Sequence, residues 1–179
     1  MKYFILAIFA ILFNLQAVNA QKAITIFVVR HAEKDVTDVK QKDPGLSIQG
    51  VERAVDLMKY LSGSKLDSVY STSYKRAVST ALPTAKKKGL ILNIYNSEEQ
   101  DALAKQLIAR AQGKNILIVG HSNTVLNMVQ AFGVKKPIGE LTDDDYDYIF
   151  KITIVGTKAE VKVSHYGKIH HRINRTPTH

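Results

Sequence analysis

The chain has 179 residues, of which 45% are hydrophobic and 8% aromatic, enough apolar material for one compact domain and too much for a disordered polymer. Lys and Arg number 25 against 16 Asp and Glu, for a net charge of +9. There is no cysteine, which excludes a disulfide scaffold, a cysteine-ligated zinc site and a thiol nucleophile.

Residues 1–20 read as a signal peptide. Lys2 supplies the positive start, Phe4 to Phe13 is an unbroken apolar run, and Val18-Asn19-Ala20 fits the small-residue pattern before a cleavage site. Ten apolar residues fall short of the roughly 20 that a membrane-spanning helix needs. The expectation is an exported protein, periplasmic or extracellular, with no stable membrane association once the chain is cut before Gln21.

Ala23 to Val29 is a short β-branched run suited to a strand buried on both faces. Asp43-Pro44-Gly45 signals a turn, and Ser47 can cap a helix reaching about Leu61, with Val51, Ala54, Val55, Met58 and Leu61 as its apolar stripe. A strand over 68–71 and a helix over about 74–87 follow, the Lys86-Lys87-Lys88 run suiting the carbonyl end of that helix. A strand over 91–95 and a helix over 98–111 come next, then a buried strand over 115–119 ended by Gly120 and a helix over about 123–132. Tyr148 to Val155 and Glu160 to Tyr166 read as a hairpin around Gly156-Thr157. Residues 167–179, with Lys168, Arg172 and Arg175 and no acid, read as a loose basic tail after a domain over 21–166. The alternation predicts an α/β fold, a three-layer α/β/α sandwich with a largely parallel central sheet.

In such sheets ligands sit beyond the carboxyl ends of the strands. Arg30-His31 follows the first strand, Ser71-Thr72-Ser73-Tyr74-Lys75-Arg76 the second, and Gly120-His121-Ser122-Asn123 the fourth. A single histidine at a strand end is ordinarily a packing residue and a helix-start arginine ordinarily a solvated cation; their joint placement carries the argument. Phosphoryl transfer suits the set: a neutral imidazole attacks phosphorus, guanidinium groups offer paired donors to phosphate oxygens, and catalysis is mostly positioning and charge stabilisation. Positive neighbours also keep His31 neutral, and the helix N-terminus after Gly120 suits an anion.

Val28-Val29-Arg30-His31-Ala32-Glu33-Lys34, Tyr70 to Ala77 and Val119-Gly120-His121-Ser122 resemble the signature stretches of the histidine phosphatase superfamily. This is the phosphoglycerate-mutase-like group, and the likeness is to its small branch of phosphohistidine phosphatases. Leu46-Ser47-Ile48-Gln49-Gly50 is similar too, and the likeness runs in order from about residue 24 to 166. The resemblance implies a phosphoglycerate-mutase-like fold and a metal-independent phosphatase of the histidine acid type. His31 is then the phosphorylated nucleophile, with Arg30, Arg76 and His121 in the phosphate pocket and Ser122 and Asn123 as further donors. No cofactor and no metal are expected.

Ala32 stands where many relatives carry glycine, a one-methyl change. The general acid that protonates an alkoxide leaving group is less plain. Glu98 or Glu99, after the third strand, are nearest by order, with Asp101 and Glu33 as others, and each also suits a plain helix-start acid. A slow or leaving-group-sensitive phosphatase is therefore expected. The short spacing between motifs leaves no insert over the pocket, which argues for a hydrolase with an open site rather than a mutase. Asp143-Asp144-Asp145-Tyr146-Asp147 reads as a solvated turn in preference to a divalent-metal site. His165, His170, His171 and His179 group at the carboxyl end, with at most adventitious metal affinity.

The expected partner is a small phosphorylated substrate, handled by a monomer. The basic charge is dispersed, so no nucleic acid is expected. Two other readings stand beside the phosphohydrolase: a phospho-ligand binding module of the same fold with little or no turnover, and, ranked last, a polyanion-binding surface protein.

Overall fold

A computed structural model describes residues 22–171. The expected signal peptide, its cleavage point at Gln21 and the tail residues 172–179 lie outside the described residues. In chain order the elements are β1 (Ile24–Arg30), α1 (Ile48–Tyr60), β2 (Ser68–Ser71), α2 (Lys75–Lys88), β3 (Leu92–Ile94), α3 (Gln100–Arg110), β4 (Asn115–Gly120), α4 (Val125–Ala131), β5 (Tyr148–Val155) and β6 (Lys158–His165).

The six strands form one sheet in the order β3-β2-β4-β1-β5-β6. β3, β2, β4 and β1 run parallel, and β5 and β6 add an antiparallel hairpin at one side. Side chains alternate between the two faces along each strand. Ile24, Ile26 and Val28 of β1 and Ile116 and Ile118 of β4 pack with Leu103 and Leu107 of α3 and with Met128 and Val129 of α4. Phe27, Val29, Leu117 and Val119 turn the other way, onto Leu57 of α1 and Ala77, Ala81 and Ala85 of α2. The three-layer architecture read from the sequence is therefore present, with a sheet that is mostly parallel.

Register fixes where the site lies. Arg30 pairs with Gly120, and Ser71 pairs with Val119, so β1, β2 and β4 end level with one another. The residues that follow these strands must emerge on one edge.

Local physics accounts for the differences from the sequence reading. Ser47 caps α1 as expected, its Oγ accepting from the Gly50 N–H at 3.1 Å. The buried face of α1 is Gly50, Arg53, Ala54 and Leu57; of the expected stripe, Ala54 and Leu61 are buried and Val55 and Met58 half-buried, whereas Val51 is exposed. Gly50 sets that rotation: a Cβ there would lie 2.2 Å from the Glu33 carbonyl oxygen, so only glycine lets the helix approach the loop after β1. β3 is shorter than the expected 91–95 because it is an edge strand that pairs only with β2, over Leu92 to Ile94. α4 starts at Val125 rather than near Asn123, because residues 121–124 close a turn with Thr124 N–H donating to the His121 carbonyl at 3.0 Å. β6 starts two residues early, at Lys158, which pairs with Val155 across Gly156, whose φ is +61°.

The segment after β6 is not loose over its described residues. Arg53 Nη1 donates to the carbonyls of Tyr166 and Lys168 at 3.2 and 3.1 Å, and the Tyr146 N–H donates to the His170 carbonyl at 2.9 Å. Residues 166–171 thus bridge α1 and the turn before β5. Among the described residues no helix is long and apolar enough to cross a membrane.

Candidate active site

His31 leaves the end of β1 buried, at 4% exposure. Its Nδ1 lies 2.7 Å from the Ala32 carbonyl, which fixes the tautomer: Nδ1–H donates there, and Nε2 keeps its lone pair. That lone pair faces Arg76, whose Nε–H donates to it at 3.1 Å. Burial first, then the charges of Arg30 and Arg76 and the neighbouring His121, hold the His31 pKa down at about 3, against the opposing pull of the Ala32 carbonyl. The imidazole is therefore neutral and nucleophilic across ordinary pH.

His121 follows β4, its ring centroid 5.2 Å from that of His31. Arg76 Nη2 lies 3.4 Å from its Nδ1, and its Nε2 lies 2.8 Å from the Thr72 hydroxyl. With Arg76 donating to Nδ1, Nε2–H donates to Thr72. Burial, then Arg76 and Arg30, bring its pKa down to about 4, with Asp43 opposing.

The two arginines are held by different means. Arg76 sits in the first turn of α2, where Asp43 Oδ1 approaches its Nη1 at 3.5 Å and accepts from the Lys75 N–H at 3.1 Å. Tyr74 lies alongside, its ring centroid 4.6 Å from the guanidinium carbon. Arg30 is 3% exposed and reaches across to the turn before β5. Its Nη1 donates to the Thr142 and Asp145 carbonyls, its Nη2 pairs with Asp143 at 3.1 Å, and it lies over the Tyr146 ring at 3.9 Å. Arg30 Nε is buried with no hydrogen-bond partner. A buried cationic donor without an acceptor is what an anion site looks like when the protein itself does not supply the anion.

These groups floor a cleft of about 540 Å³, bordered by Lys34, Lys42, Ser122, Asn123 and Thr124. His31, Arg30, Arg76, His121, Ser122 and Asn123 all line it. Glu98 and Glu99 do not: the chain reaches the rim at Ser97, and both glutamates are exposed beyond it. Glu99 accepts instead from Asn96 Nδ2 at 3.1 Å, and Glu98 lines a separate depression with Asp101. Glu33 is likewise occupied, held by Arg53 Nε at 2.8 and 3.0 Å. The acids that line the cleft are Asp35, Asp38 and Asp143. Asp35 is held below the usual carboxylate range by hydrogen bonds from the Thr37 backbone and hydroxyl, a poor proton donor.

The acidic run before β5 is more than a solvated turn. Asp143 anchors Arg30, and Asp145 is buried and accepts from the Thr142 N–H and hydroxyl at 2.6 and 2.7 Å. Asp147 is fully buried. Thr80 belongs to none of the sequence stretches that flank the site. Its hydroxyl accepts from the Ala32 N–H at 2.9 Å and donates to the Arg76 carbonyl at 2.7 Å, tying the His31 loop to the helix that carries Arg76. The signal for it was position: Thr80 is one turn beyond Arg76 on a face of small residues, Ala77, Ala81 and Thr84.

The family model of the histidine phosphatase superfamily (branch 1) matches residues 26–99, which contain His31, Arg30 and Arg76 and stop short of His121. Among solved structures, the chain is similar to the protein histidine phosphatase SixA complexed with tungstate. The TM-score is 0.64 at 15% identity, over 79% of this chain and 96% of that one. It is also similar to a mycobacterial glucosyl-3-phosphoglycerate phosphatase (TM-score 0.64, 13% identity, 81% and 99% covered). A third is SixA from Nakamurella multipartitia (TM-score 0.56, 20% identity, 80% and 96% covered). Among curated proteins, none matches. The resemblance read from the sequence is thus confirmed at the level of superfamily signature and fold.

Proposed function

We propose that the chain is a phosphohydrolase that moves the phosphoryl group of a small phosphorylated substrate first to His31 and then to water. The observation that carries this reading is the orientation of His31, with Nδ1–H engaged by the Ala32 carbonyl and Nε2 turned to Arg76 at the floor of a cationic cleft. The Nε2 lone pair attacks phosphorus, the bond to the leaving oxygen or nitrogen breaks with its electron pair, and a phosphohistidine forms. Water then attacks phosphorus, the N–P bond breaks back to neutral His31, and inorganic phosphate leaves. Arg30, Arg76 and His121 stabilise the charge on the equatorial oxygens in both steps. Ser122 and Asn123 stand at the mouth as further donors.

With Glu98 and Glu99 outside the cleft and Asp35 held ionised, leaving groups that depart without a strong acid suit this site best. These are phosphoramidates, aryl phosphates and acyl phosphates. The phosphohistidine phosphatases among its structural neighbours act on a leaving group of that kind, which favours the same class here. The reaction is read as metal-independent, because the Arg76 guanidinium occupies a nitrogen of both pocket histidines and, with Arg30, repels a cation. The 1–20 segment supports export, to the periplasm or the exterior, and a monomer is the simplest state.

The test is hydrolysis of p-nitrophenyl phosphate by the untagged chain with a chelator present, beside His31→Ala. Turnover that survives chelation and falls by on the order of 10⁴-fold or more in the variant is the expected result. Rates should also fall steeply as the leaving-group pKa rises. A flat series overturns the acid-poor reading, and phosphate binding without turnover assigns the chain to the binding-module alternative.

A further inference from the structure

We propose that Asp147, His165 and His171 form a binding site for one divalent transition-metal ion of the zinc type, separate from the phosphate pocket. The four carboxyl-terminal histidines do not act as a group. His170 is turned to the Asp144 carbonyl at 2.7 Å, and His179 lies outside the described residues. His165 and His171 instead turn the same ring nitrogen, Nδ1, toward one carboxylate, their rings stacked with centroids 4.3 Å apart. His171 Nδ1 is 2.6 Å from Asp147 Oδ2, and His165 Nδ1 is 3.3 Å from Oδ1. The three ligand atoms lie within 4.8 Å of one another.

A second observation points to a ligand. Asp147 is 1% exposed at its side chain, and its Oδ1 has no hydrogen-bond partner: the His165 approach is close but not aligned as a hydrogen bond. A cation bound between the three donors would satisfy that oxygen and compensate a carboxylate withdrawn from water. Two imidazole nitrogens and one carboxylate oxygen suit zinc and its neighbours in the first transition row, whereas magnesium and calcium favour all-oxygen sets. The carboxylate is braced for this role. Oδ2 accepts from the His170 N–H at 3.1 Å, and the Asp147 carbonyl accepts from the Tyr166 N–H at 3.0 Å. His165 is open to solvent and His171 partly so, which gives the ion a path in and leaves a coordination position for water.

The place of the site in the fold says what the ion does. His165 ends β6, Asp147 precedes β5, and His171 lies beyond both. An ion there fastens residues 165–171 to the turn whose Thr142, Asp143 and Asp145 hold Arg30 and whose Tyr146 packs on it. Its task is to brace that turn, not to take part in phosphoryl transfer.

The experiment uses the full chain without an affinity tag, stripped with EDTA and titrated with Zn²⁺ by calorimetry and with Co²⁺ by visible absorption. One ion per chain, tetrahedral cobalt bands and a higher Tm on adding Zn²⁺ are expected. His165→Ala and His171→Ala should each weaken binding by at least the roughly 10- to 100-fold that loss of an outer partner costs in other sites. His170→Ala and His31→Ala should keep the stoichiometry of one. Circular dichroism checks that the variants fold, and Asp147→Asn is added only if it folds. Affinity unchanged in both His165→Ala and His171→Ala, or no cobalt bands at stoichiometric metal, overturns the site. The readout is metal binding, so a chain that fails to hydrolyse phosphate leaves this result intact, and the converse also holds.

Discussion

Arg30 and Arg53 are buried to almost the same degree, 3% and 4% exposed, and each reaches across the fold to a segment more than a hundred residues away. Their surroundings differ. Arg53 meets both oxygens of the buried Glu33 and two backbone carbonyls, so its charge is matched by a carboxylate and its Nε and Nη1 both have acceptors. Arg30 meets two carbonyls and an exposed aspartate, keeps Nε without a partner, and stands beside two histidines whose pKa it lowers. A buried cation matched by a buried carboxylate belongs to the architecture. One that is left short belongs to a ligand.

The largest expected effect tests the first half of that contrast. Arg53→Ala should cost about 3–5 kcal/mol of stability, because it strands the Glu33 carboxylate and frees the 166–171 segment. Chemical denaturation measures this, and the fraction that remains folded should keep most of its kcat. Arg30→Ala should do the reverse. Turnover of p-nitrophenyl phosphate should fall on the order of 10²–10³-fold with little change in denaturation midpoint. A variant that instead unfolds would place Arg30 with Arg53 and break the distinction.

Acid should expose the same asymmetry. His31 and His121 are held near 3 and 4 in the fold against an ordinary value of 6.5, so the unfolded chain binds more protons between those limits. Stability is full above about pH 6.5 and falls as pH drops toward the folded values. The two histidines together should remove roughly 2 kcal/mol per pH unit near pH 5. Inorganic phosphate, by neutralising the cations around them, should flatten that loss. An acid limb unaffected by phosphate would separate these histidines from the anion site.

The smallest effect concerns the link between loop and helix. Thr80→Val keeps the shape but leaves the Ala32 N–H without an acceptor, at about 1–2 kcal/mol. Because Thr80 positions His31 against Arg76 without lining the cleft, kcat should fall while KM for p-nitrophenyl phosphate stays near its original value. An equal change in both would make Thr80 a packing residue only.

Much of this protein was readable in advance where the controlling contacts are local or where strand ends must share an edge. The continuous apolar runs of β1 and β4, the Ser47 cap and the Gly156 turn each depend on residues within a few positions. His31, Arg76 and His121 could be grouped because parallel strands present their carboxyl ends together. Whether Glu98 and Glu99 reach the cleft or only start a helix could not be read from order along the chain, which says nothing of which side of a rim a loop turns; here it turns away after Ser97 and Glu99 precedes α3. The acidic run was misjudged because turn propensity cannot see Arg30, 113 residues earlier in the chain.

The sequence by itself determined the elements, their order, the layered architecture and the meeting of Arg30, His31, Arg76 and His121 at one edge of the sheet, since periodicity, caps and topology follow from neighbouring residues and from the handedness of parallel connections. Only the tertiary structure decided the rotation of α1 on Gly50, the pairing of Arg53 with Glu33, the role of Thr80 and the meeting of Asp147 with two histidines. Those outcomes rest on buried polar groups finding partners from distant segments. No local pattern encodes which distant segment arrives.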